Sequence, residues 1–527
     1  MKIIILGAGL GGLAVAHHLT KLNIKNLEIH IYEKNEISGG ECRGRFLDER
    51  KKVKDYIEYC WHAVGSGYLY LFEIFKEIKL SSEESLYDHL VPIHNYWYFK
   101  KGAPPYLEEE RNFLTRFSFG EGPVSFSYYD YFILFLAQFY IKIIPDSWLE
   151  KYQKITWSDF CRYLSPNARR WIVDSTSIYM GMDYRRLDAF TVMKMLRNNV
   201  RVEKEGDFFF LDGPYNNLWF DKWVESLKSS GVQFHLGEEV VSIDKTYDNK
   251  FGHLYFEDNR IEGIVLGSGE EVMGDIYVNS MDIHNFKSLD GNVNWHALSS
   301  YSYQIQEQVS LHFRKKIVIK YYEKQANYKK PSVMILSDSP WFLMIRVEST
   351  VYKYMSGETL AVGIGIWDQP GFNGKTALEC DEDELKNEVW EQVRTLCGEH
   401  LINEDGTLVT KPESMHGWPT YTYADGFMNT TEPKFSNNIN TFNLRPENKD
   451  GTYSNLWHSN AYVKTDSVIY CMESAAEAAA KTANSIAREF NLTEPCVVLK
   501  KEDPGLIVRA LRFTLGFIGI IPPFRWL

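Results

Sequence analysis

The sequence predicts an α/β protein that begins with a Rossmann-type dinucleotide-binding unit. Residues 2–6 form a short, mostly β-branched apolar run, which is typical of a buried parallel strand. The next residues, GAGLGG, place glycines in the G-x-G-x-x-G spacing, and an apolar helical pattern follows. A second strand pattern, LEIHIYEK, then ends at an acidic residue, Glu33. Strand, glycines, helix, strand and acid in this order are the fingerprint of a dinucleotide site.

Each part of this unit has a predicted role. Gly7 permits the tight turn, Gly9 lets the backbone approach a pyrophosphate, and Gly12 lets helix and strand pack closely. The amides at the start of the helix face the phosphates, and Glu33 accepts a ribose hydroxyl. The unit alone leaves NAD and FAD both open. Its candidate cofactor-binding residues are Gly7, Gly9, Leu10, Gly11, Gly12, Glu33 and Lys34.

Composition narrows the class of protein. A chain of 527 residues suits one large enzyme or two to three interwoven domains. The net charge of −12 argues against nucleic-acid partners. Aromatic residues make up 15% of the chain, which suits an apolar cavity or simply a large aromatic core. The seven cysteines include no CxxC pair and no zinc-type spacing, so we expect no metal site and a reducing, cytoplasmic location.

Two glycine and helix motifs at opposite ends of the chain resemble those of the flavin amine oxidase superfamily. The segment EISGGECRGR resembles its G-G-R-x-x-[ST] motif, with Glu41 where arginine is usual and Arg43 two positions later. The segment MESA, at 472–475, resembles its M-E-[GS]-A helix. The resemblance implies FAD as the cofactor. It also implies these contacts to FAD: Gly39, Gly40, Glu41, Arg43, Met472, Glu473 and Ser474.

Two further positions follow from the same resemblance. Residues 230–243 look like the strand pair whose valine backbone contacts adenine, and Val241 is the candidate. Where the family usually has an A-G-D triplet, this chain has HSN, so Asn460 is expected to hydrogen-bond a ribityl hydroxyl without a charge.

Three middle segments resemble the carotenoid (phytoene) desaturase-like branch: residues 56–78, 208–236 and 274–289. The resemblance implies a discontinuous, glutathione-reductase-like FAD-binding domain and a mixed-sheet plus helical substrate domain. The expected FAD-binding segments are 1–78, 228–288 and 452–495. The expected substrate-domain segments are 79–227 and 289–451, and 496–527 form a C-terminal tail.

The chemistry implied is hydride transfer from a C–H bond to flavin. Weak candidates for a catalytic role are His62, Arg314, Tyr421 and Tyr423, each with a plain structural alternative in the core or at the surface. Three functions stay open. They are a desaturase or dehydrogenase of a lipophilic, isoprenoid-like substrate, a flavin amine oxidase that produces hydrogen peroxide, and a non-catalytic prenyl-binding escort-like protein.

The last segment, 505–527, carries three arginines, no acid and many apolar residues, with Pro522, Pro523 and Trp526 near its end. This composition predicts a peripheral anchor lying in a membrane interface. The alternative is a tail that packs onto the body or into a homo-oligomer contact. Residues 131–144 are also strongly apolar; they could supply a second apolar contact to the membrane, although a buried helix is the stronger expectation.

Overall fold

The computed structural model describes residues 1–22, 24–47, 56–60, 62–93, 95–102, 105–108, 126–197, 204, 206–245, 259–290, 292–306, 308–320, 330–353, 355, 357–496 and 506–518. Within these residues the architecture is α/β, with one parallel sheet and one mixed sheet as its two main layers. Residues 497–505 and 519–527, which include Pro522, Pro523 and Trp526 of the predicted anchor, lie outside the described part of the chain.

A five-stranded sheet with all neighbours parallel forms one half of the molecule, in the order β10-β2-β1-β14-β26. Its strands are β1 (Lys2–Leu6), β2 (Glu28–Glu33), β10 (Gln233–Leu236), β14 (Ile276–Asn279) and β26 (Leu456–His458). The central strand is fully buried from Ile3 to Leu6, as its β-branched run predicts. Three distant stretches of sequence therefore meet in one sheet.

Two helices cover this sheet with small side chains at their contact. They are α1 (Leu10–Leu19) and α12 (Met472–Glu489). Fully buried alanines of α12, such as Ala476 and Ala479, share one apolar cluster with Leu13 and Ala14 of α1. Two more helices belong to the same cluster: α2 (Leu69–Glu77) and α8 (Asp221–Ser229). A three-stranded antiparallel sheet packs against the five-stranded sheet. Its strands are β11 (Val240–Lys245), β12 (Ile261–Leu266) and β13 (Glu271–Met273).

The other half is built on a seven-stranded mixed sheet in the order β22-β16-β20-β19-β18-β7-β8. The β18–β7 pair is parallel and the other described pairs are antiparallel. The strands are β7 (Tyr96–Phe99), β8 (Tyr106–Glu108), β16 (Gln308–Phe313), β18 (Val333–Leu336), β19 (Leu343–Val347), β20 (Glu358–Ile364) and β22 (Ser414–His416). Helix α11 (Glu382–Cys397) packs on its apolar cluster.

Short strands connect and extend these layers. They are β3 (Gly44–Phe46) with β4 (Tyr56–Glu58); β5 (Val64–Gly65) and β6 (Leu90–Pro92) on either side of β9 (Phe208–Leu211); β15 (Tyr303–Gln304) with β25 (Lys434–Phe435); β17 (Ile317–Ile319) with β21 (Leu401–Asn403); and β23 (Tyr421–Ala424) with β24 (Phe427–Thr430).

Five helices surround an apolar cluster of their own, and we call this group the helical cap. They are α3 (Tyr128–Ile143), α4 (Asp146–Leu149), α5 (Trp157–Phe160), α6 (Pro166–Met180) and α7 (Ala189–Arg197). The remaining helices are α9 (Ile283–Asp290), α10 (Val293–Ser302) and α13 (Leu506–Ile518). Among the described helices, none combines the length and the hydropathy that crossing a bilayer requires.

A buried charge cluster ties the mixed sheet to the first segment of the chain. Arg346 of β19 is fully buried, and its Nη2 donates to Glu58 of β4 at 2.9 Å and to Glu348 at 2.7 Å. The guanidinium also lies 5.1 Å from the ring centre of Phe210 in β9. One cation thus holds together strands that are far apart in the sequence.

We predict that Arg346→Met lowers the free energy of unfolding by about 3–5 kcal/mol, because two buried carboxylates lose their counter-charge. Chemical denaturation measures this loss. The control is Arg394→Met, which removes a surface ion pair whose arginine side chain is 54% exposed and should leave the stability unchanged. Equal losses in the two variants would contradict a structural role for the buried cluster.

Candidate functional site

A cavity of about 540 Å³ lies where the two halves meet. Its walls include residues at the carboxyl ends of the parallel strands, such as Leu6, Glu33 and Ser280. They also include Val333, Met344 and Gly363 of the mixed sheet. The carboxyl edge of a parallel sheet is where α/β proteins bind ligands, and the volume is within the usual range for small-molecule sites.

The glycine turn at this edge is fixed by backbone packing. Gly7 has φ +101°, a conformation that other residues rarely adopt. A Cβ atom on Gly11 would lie 2.1 Å from the carbonyl oxygen of Ser459, and one on Gly12 would lie 2.0 Å from that of Gly7. A Cβ atom on Gly9 would lie 3.6 Å from the Cα atom of Gly40, which is an ordinary contact. The space beyond it is part of the cavity, because Gly9 lines the cavity wall. Gly7, Gly9, Leu10 and Gly11 line the cavity, whereas Gly12 serves the packing of α1.

Glu33 connects the end of β2 to the glycine turn. Its Oε2 accepts the N–H of Ala8 at 2.9 Å, and its Oε1 accepts the backbone and side-chain N–H groups of Asn35 at 3.0 and 2.7 Å. A carboxylate has further acceptor capacity, and both Glu33 and Lys34 line the cavity. Glu33 therefore fixes the turn and borders the cavity, and its contact to a ribose stays a prediction.

The second glycine pair carries the chain past the first turn. Gly39 and Gly40 have φ +123° and +56°, and Gly39 donates to the carbonyl of Ala8 at 2.9 Å. Arg43 lines the cavity, but its guanidinium donates to the Gly40 carbonyl at 2.8 Å and to both oxygens of Glu432 at 2.7 and 2.5 Å. Arg43 is therefore engaged with protein groups.

Glu41 occupies the position where the resemblance expects arginine. Its carboxyl lines the cavity and accepts the hydroxyl of Tyr470 at 2.8 Å. Burial raises the pKa of Glu41, while the neighbouring Lys434 and the Tyr470 hydrogen bond oppose that shift. Glu41 therefore gives the cavity a carboxyl group at the position where the amine oxidase motif has an arginine.

Helix α12 meets the cavity at Met472 and Ala475. Glu473 and Ser474 are not among the described residues that line it. The Glu473 carboxylate accepts the N–H groups of Tyr70 and Leu71, both at 3.0 Å, and so caps the first turn of α2. The Ser474 hydroxyl donates to the carbonyl of Ile469. The structure therefore places these two predicted side chains in packing roles.

The last two predicted cofactor contacts do line the cavity. Val241 and its neighbour Val240 lie at the end near Glu33, and Val241 is 48% exposed. Asn460 donates to the carbonyls of Ser280 and Met281 at 3.0 and 2.8 Å, which ties the end of β26 to the end of β14.

Of the four catalytic candidates, the structure brings His62 to the cavity, where its Nε2 lies 3.4 Å from Cys60 Sγ. Arg314 is 80% exposed and pairs with Glu413 at 2.9 Å, so it is a surface charge. Tyr421 donates its hydroxyl to the carbonyl of Gln306 behind the cavity wall. Neither Tyr421 nor Tyr423 is among the described residues that line the cavity.

Sequence reasoning missed three polar residues of the cavity. Lys434 of β25 donates to Cys60 Sγ at 2.6 Å. Gln308 of β16 is 2% exposed, and neither atom of its amide has a hydrogen-bond partner among the described residues. The buried hydroxyl of Ser280 also has no partner there. Alternating glutamines at 304, 306 and 308 could have drawn attention to Gln308, but Lys434 stands in no recognisable motif.

The described residues fit a flavin dinucleotide. The open space beside Gly9 suits a pyrophosphate, the helix α1 N-terminus suits its charge, and Glu33 suits a ribose. The unpaired hydroxyl of Ser280 supplies a buried polar group for a ligand to meet.

Comparisons with known proteins agree with this fold. Residues 5–78 match the family model of the NAD(P)-binding Rossmann-like domain. A search of curated protein sequences found no match. Solved structures that are similar over most of the chain include an oxidoreductase from Methanosarcina mazei, which is 14% identical with a TM-score of 0.54 over 91% of this chain and 99% of that chain.

Two amine oxidases are also similar. Putrescine oxidase bound to putrescine is 12% identical, with a TM-score of 0.61 over 93% of this chain and 100% of that chain. Cyclohexylamine oxidase from Brevibacterium oxydans IH-35A is 13% identical, with a TM-score of 0.60 over 93% of this chain and 99% of that chain. The fold is thus a mixed α/β fold of the flavin amine oxidase type with a Rossmann-like domain.

We predict that Gly12→Ala lowers the free energy of unfolding by about 1–3 kcal/mol, because its new methyl group would overlap the backbone of Gly7. Gly9→Ala, whose methyl group would have ordinary contacts, should leave the stability nearly unchanged. Denaturation of both purified variants without added cofactor measures the difference. A Gly9 variant as unstable as the Gly12 variant would contradict the assignment of packing to Gly12 and of cavity space to Gly9.

Proposed function

We propose that this protein is an FAD-dependent oxidoreductase that desaturates or dehydrogenates a mostly apolar substrate. The observation that carries the proposal is the continuity of the cavity, which extends from the glycine turn to the apolar face of the mixed sheet. A dinucleotide held at the turn would thereby face a substrate compartment within the same enclosed space.

The chain's residues have separate tasks in this proposal. The glycine turn and Glu33 hold the dinucleotide, and Met472 and Ala475 bring the start of α12 against it. Bound FAD supplies the chemistry, which is acceptance of a hydride from a C–H bond. Ile93, Phe208 and Met344 line the substrate compartment and exclude water from it. Dehydrogenation also releases one proton from the substrate, and Glu41 and His62 line the cavity as side chains that can accept it.

Gln308 indicates which polar group the substrate carries. A buried amide without partners costs about 1–3 kcal/mol unless a ligand or water satisfies it. Gly363 of β20 pairs with Gln308, and Met344 of β19 and Val333 of β18 continue the same cavity wall. An amide both donates and accepts hydrogen bonds and has no charge, so it suits a neutral polar group such as a hydroxyl or a carbonyl on an apolar skeleton.

The second candidate is an amine oxidase, which the names of two structural neighbours favour. Lys434 and Glu41 bring charges of both signs to the cavity. The ammonium group of Lys434 donates to Cys60, and its charge opposes the rise in the pKa of the neighbouring Glu41 carboxyl. The acid Glu432 is already neutralised by Arg43 at 2.5 Å. Because Glu41 offsets Lys434, the amine oxidase stands second on the apolar lining of the cavity, which suits a neutral lipid better than a protonated amine.

We predict that the purified protein binds FAD and shows the flavin absorbance bands, and that it binds NADH much more weakly. Gly9→Val should weaken FAD binding by roughly five- to hundredfold, because its side chain would occupy the space beside the turn at a cost of about 1–3 kcal/mol. Titration of cofactor-free protein with FAD and with NADH measures both affinities. A protein that binds NADH and remains colourless with FAD would overturn the flavin assignment.

We predict that farnesol, but neither putrescine nor cyclohexylamine, bleaches the bound flavin in the absence of air. Gln308→Leu should raise the dissociation constant of the alcohol by up to about tenfold through the loss of one hydrogen bond, with the rate constant of flavin reduction nearly unchanged. Stopped-flow absorbance measures both constants. Bleaching by the amines alone would replace the proposal with an amine oxidase, and an unchanged dissociation constant would remove the role of Gln308.

A further inference from the structure

Helix α3 presents an aromatic stripe to the solvent. Tyr128, Phe132, Phe135 and Phe139 follow one another at spacings of four, three and four residues, so they share one helical face. Their side chains are 80%, 58%, 66% and 53% exposed. The opposite face, with Tyr140 and Ile141, is buried in the helical cap. The expectation of a buried helix at 131–144 is therefore wrong for half of its surface.

Helix α13 extends this stripe into a larger surface. It packs against α3, and Arg512 donates to the carbonyl of Lys142 at 3.0 and 2.9 Å. Leu506, Ile507 and Phe513 of α13 are 77%, 78% and 77% exposed. We call seven of the exposed apolar side chains of the two helices the two-helix patch; its members are Tyr128, Phe132, Phe135, Phe139, Leu506, Ile507 and Phe513.

Among the residues that the structure describes, the border of the two-helix patch is basic, in a chain that is acidic overall. Helix α13 contains no acidic residue, and the single acid of α3, Asp130, is completely buried. Arg509 is exposed on α13, and Lys142 and Arg512 stand together where the helices touch. Asp146, in α4, pairs with Arg197 at 3.2 Å. The net charge of the whole chain is −12, so the positive charge at the border of the patch is opposite in sign to the net charge of the chain.

We propose that the two-helix patch docks on the surface of a lipid bilayer that contains anionic lipids, with both helices lying in the interface. Apolar and aromatic side chains beside arginine and lysine are the composition that interfacial helices use. The negative charge of the rest of the chain would be repelled by such a surface, which fixes the orientation of the docked protein.

A second copy of this chain is a poorer occupant. A two-fold contact through the patch would bring the basic borders of two copies into one interface. Charge complementarity therefore favours the anionic bilayer. This docking does not depend on the proposed function, because it involves neither the cavity nor the cofactor.

The test is co-sedimentation of the full chain with vesicles of phosphatidylcholine alone and of phosphatidylcholine mixed with phosphatidylserine. We expect binding to the mixed vesicles that weakens as salt is added. Phe132→Ser should lower the partition coefficient about tenfold, since one aromatic side chain no longer enters the interface. Phe427→Ser is the matched control, because Phe427 lies on β24 and is also 58% exposed.

Three results would overturn the proposal. The first is a wild-type chain that stays in the supernatant with both vesicle types, and the second is equal loss of binding in the two phenylalanine variants. The third is a dimer in analytical ultracentrifugation that Phe132→Ser dissociates, which would assign the patch to a second copy. Because both phenylalanines are exposed, thermal unfolding of the variants should match that of the wild type and confirms that they fold.

Discussion

The structure depends on backbone contacts that leave no room for a side chain at the glycine turn. Gly7 lies against Ser280, and Gly11 lies against Ser459, whose hydroxyl also donates to the Gly11 carbonyl at 2.9 Å. These contacts join the start of the chain to residues about 270 and 450 positions later. The carboxyl ends of β1, β14 and β26 consequently form one surface, and the dinucleotide end of the cavity is assembled from all three.

The cavity as a whole depends on a second constraint, which is the satisfaction of buried polar groups. Arg43 and Glu432 neutralise each other at 2.5 Å, and Tyr470 holds the Glu41 carboxyl. Ser280 and Gln308 stand out because they have no partners among the described residues although they line the same cavity. Their unpaired atoms lie where a ligand would satisfy them, so the pattern of satisfied and unsatisfied groups outlines the site.

The sequence predicted the parts of the site that depend on local pattern. The βαβ unit was found because strand, glycines, helix and acid are consecutive, and the distant α12 was found by its resemblance to a motif. Partners far apart in sequence could not be predicted: Glu432 lies 389 positions after Arg43, and Glu473 caps a helix 402 positions before it. The exposure of α3 was missed because both of its faces are apolar, and hydropathy does not show which face packs on the protein.

The helical cap connects the membrane proposal to the enzymatic one. Tyr140 and Ile141, on the inner face of α3, belong to the same buried apolar cluster as Val173 of α6 and Met182. Helix α6 ends at Met180, which lines the cavity together with Gly181. One apolar layer therefore lies between the two-helix patch and the substrate compartment. A lipophilic substrate has a low concentration in water and a high one in a bilayer, so an enzyme docked by this cap would have its cavity close to the phase that holds the substrate.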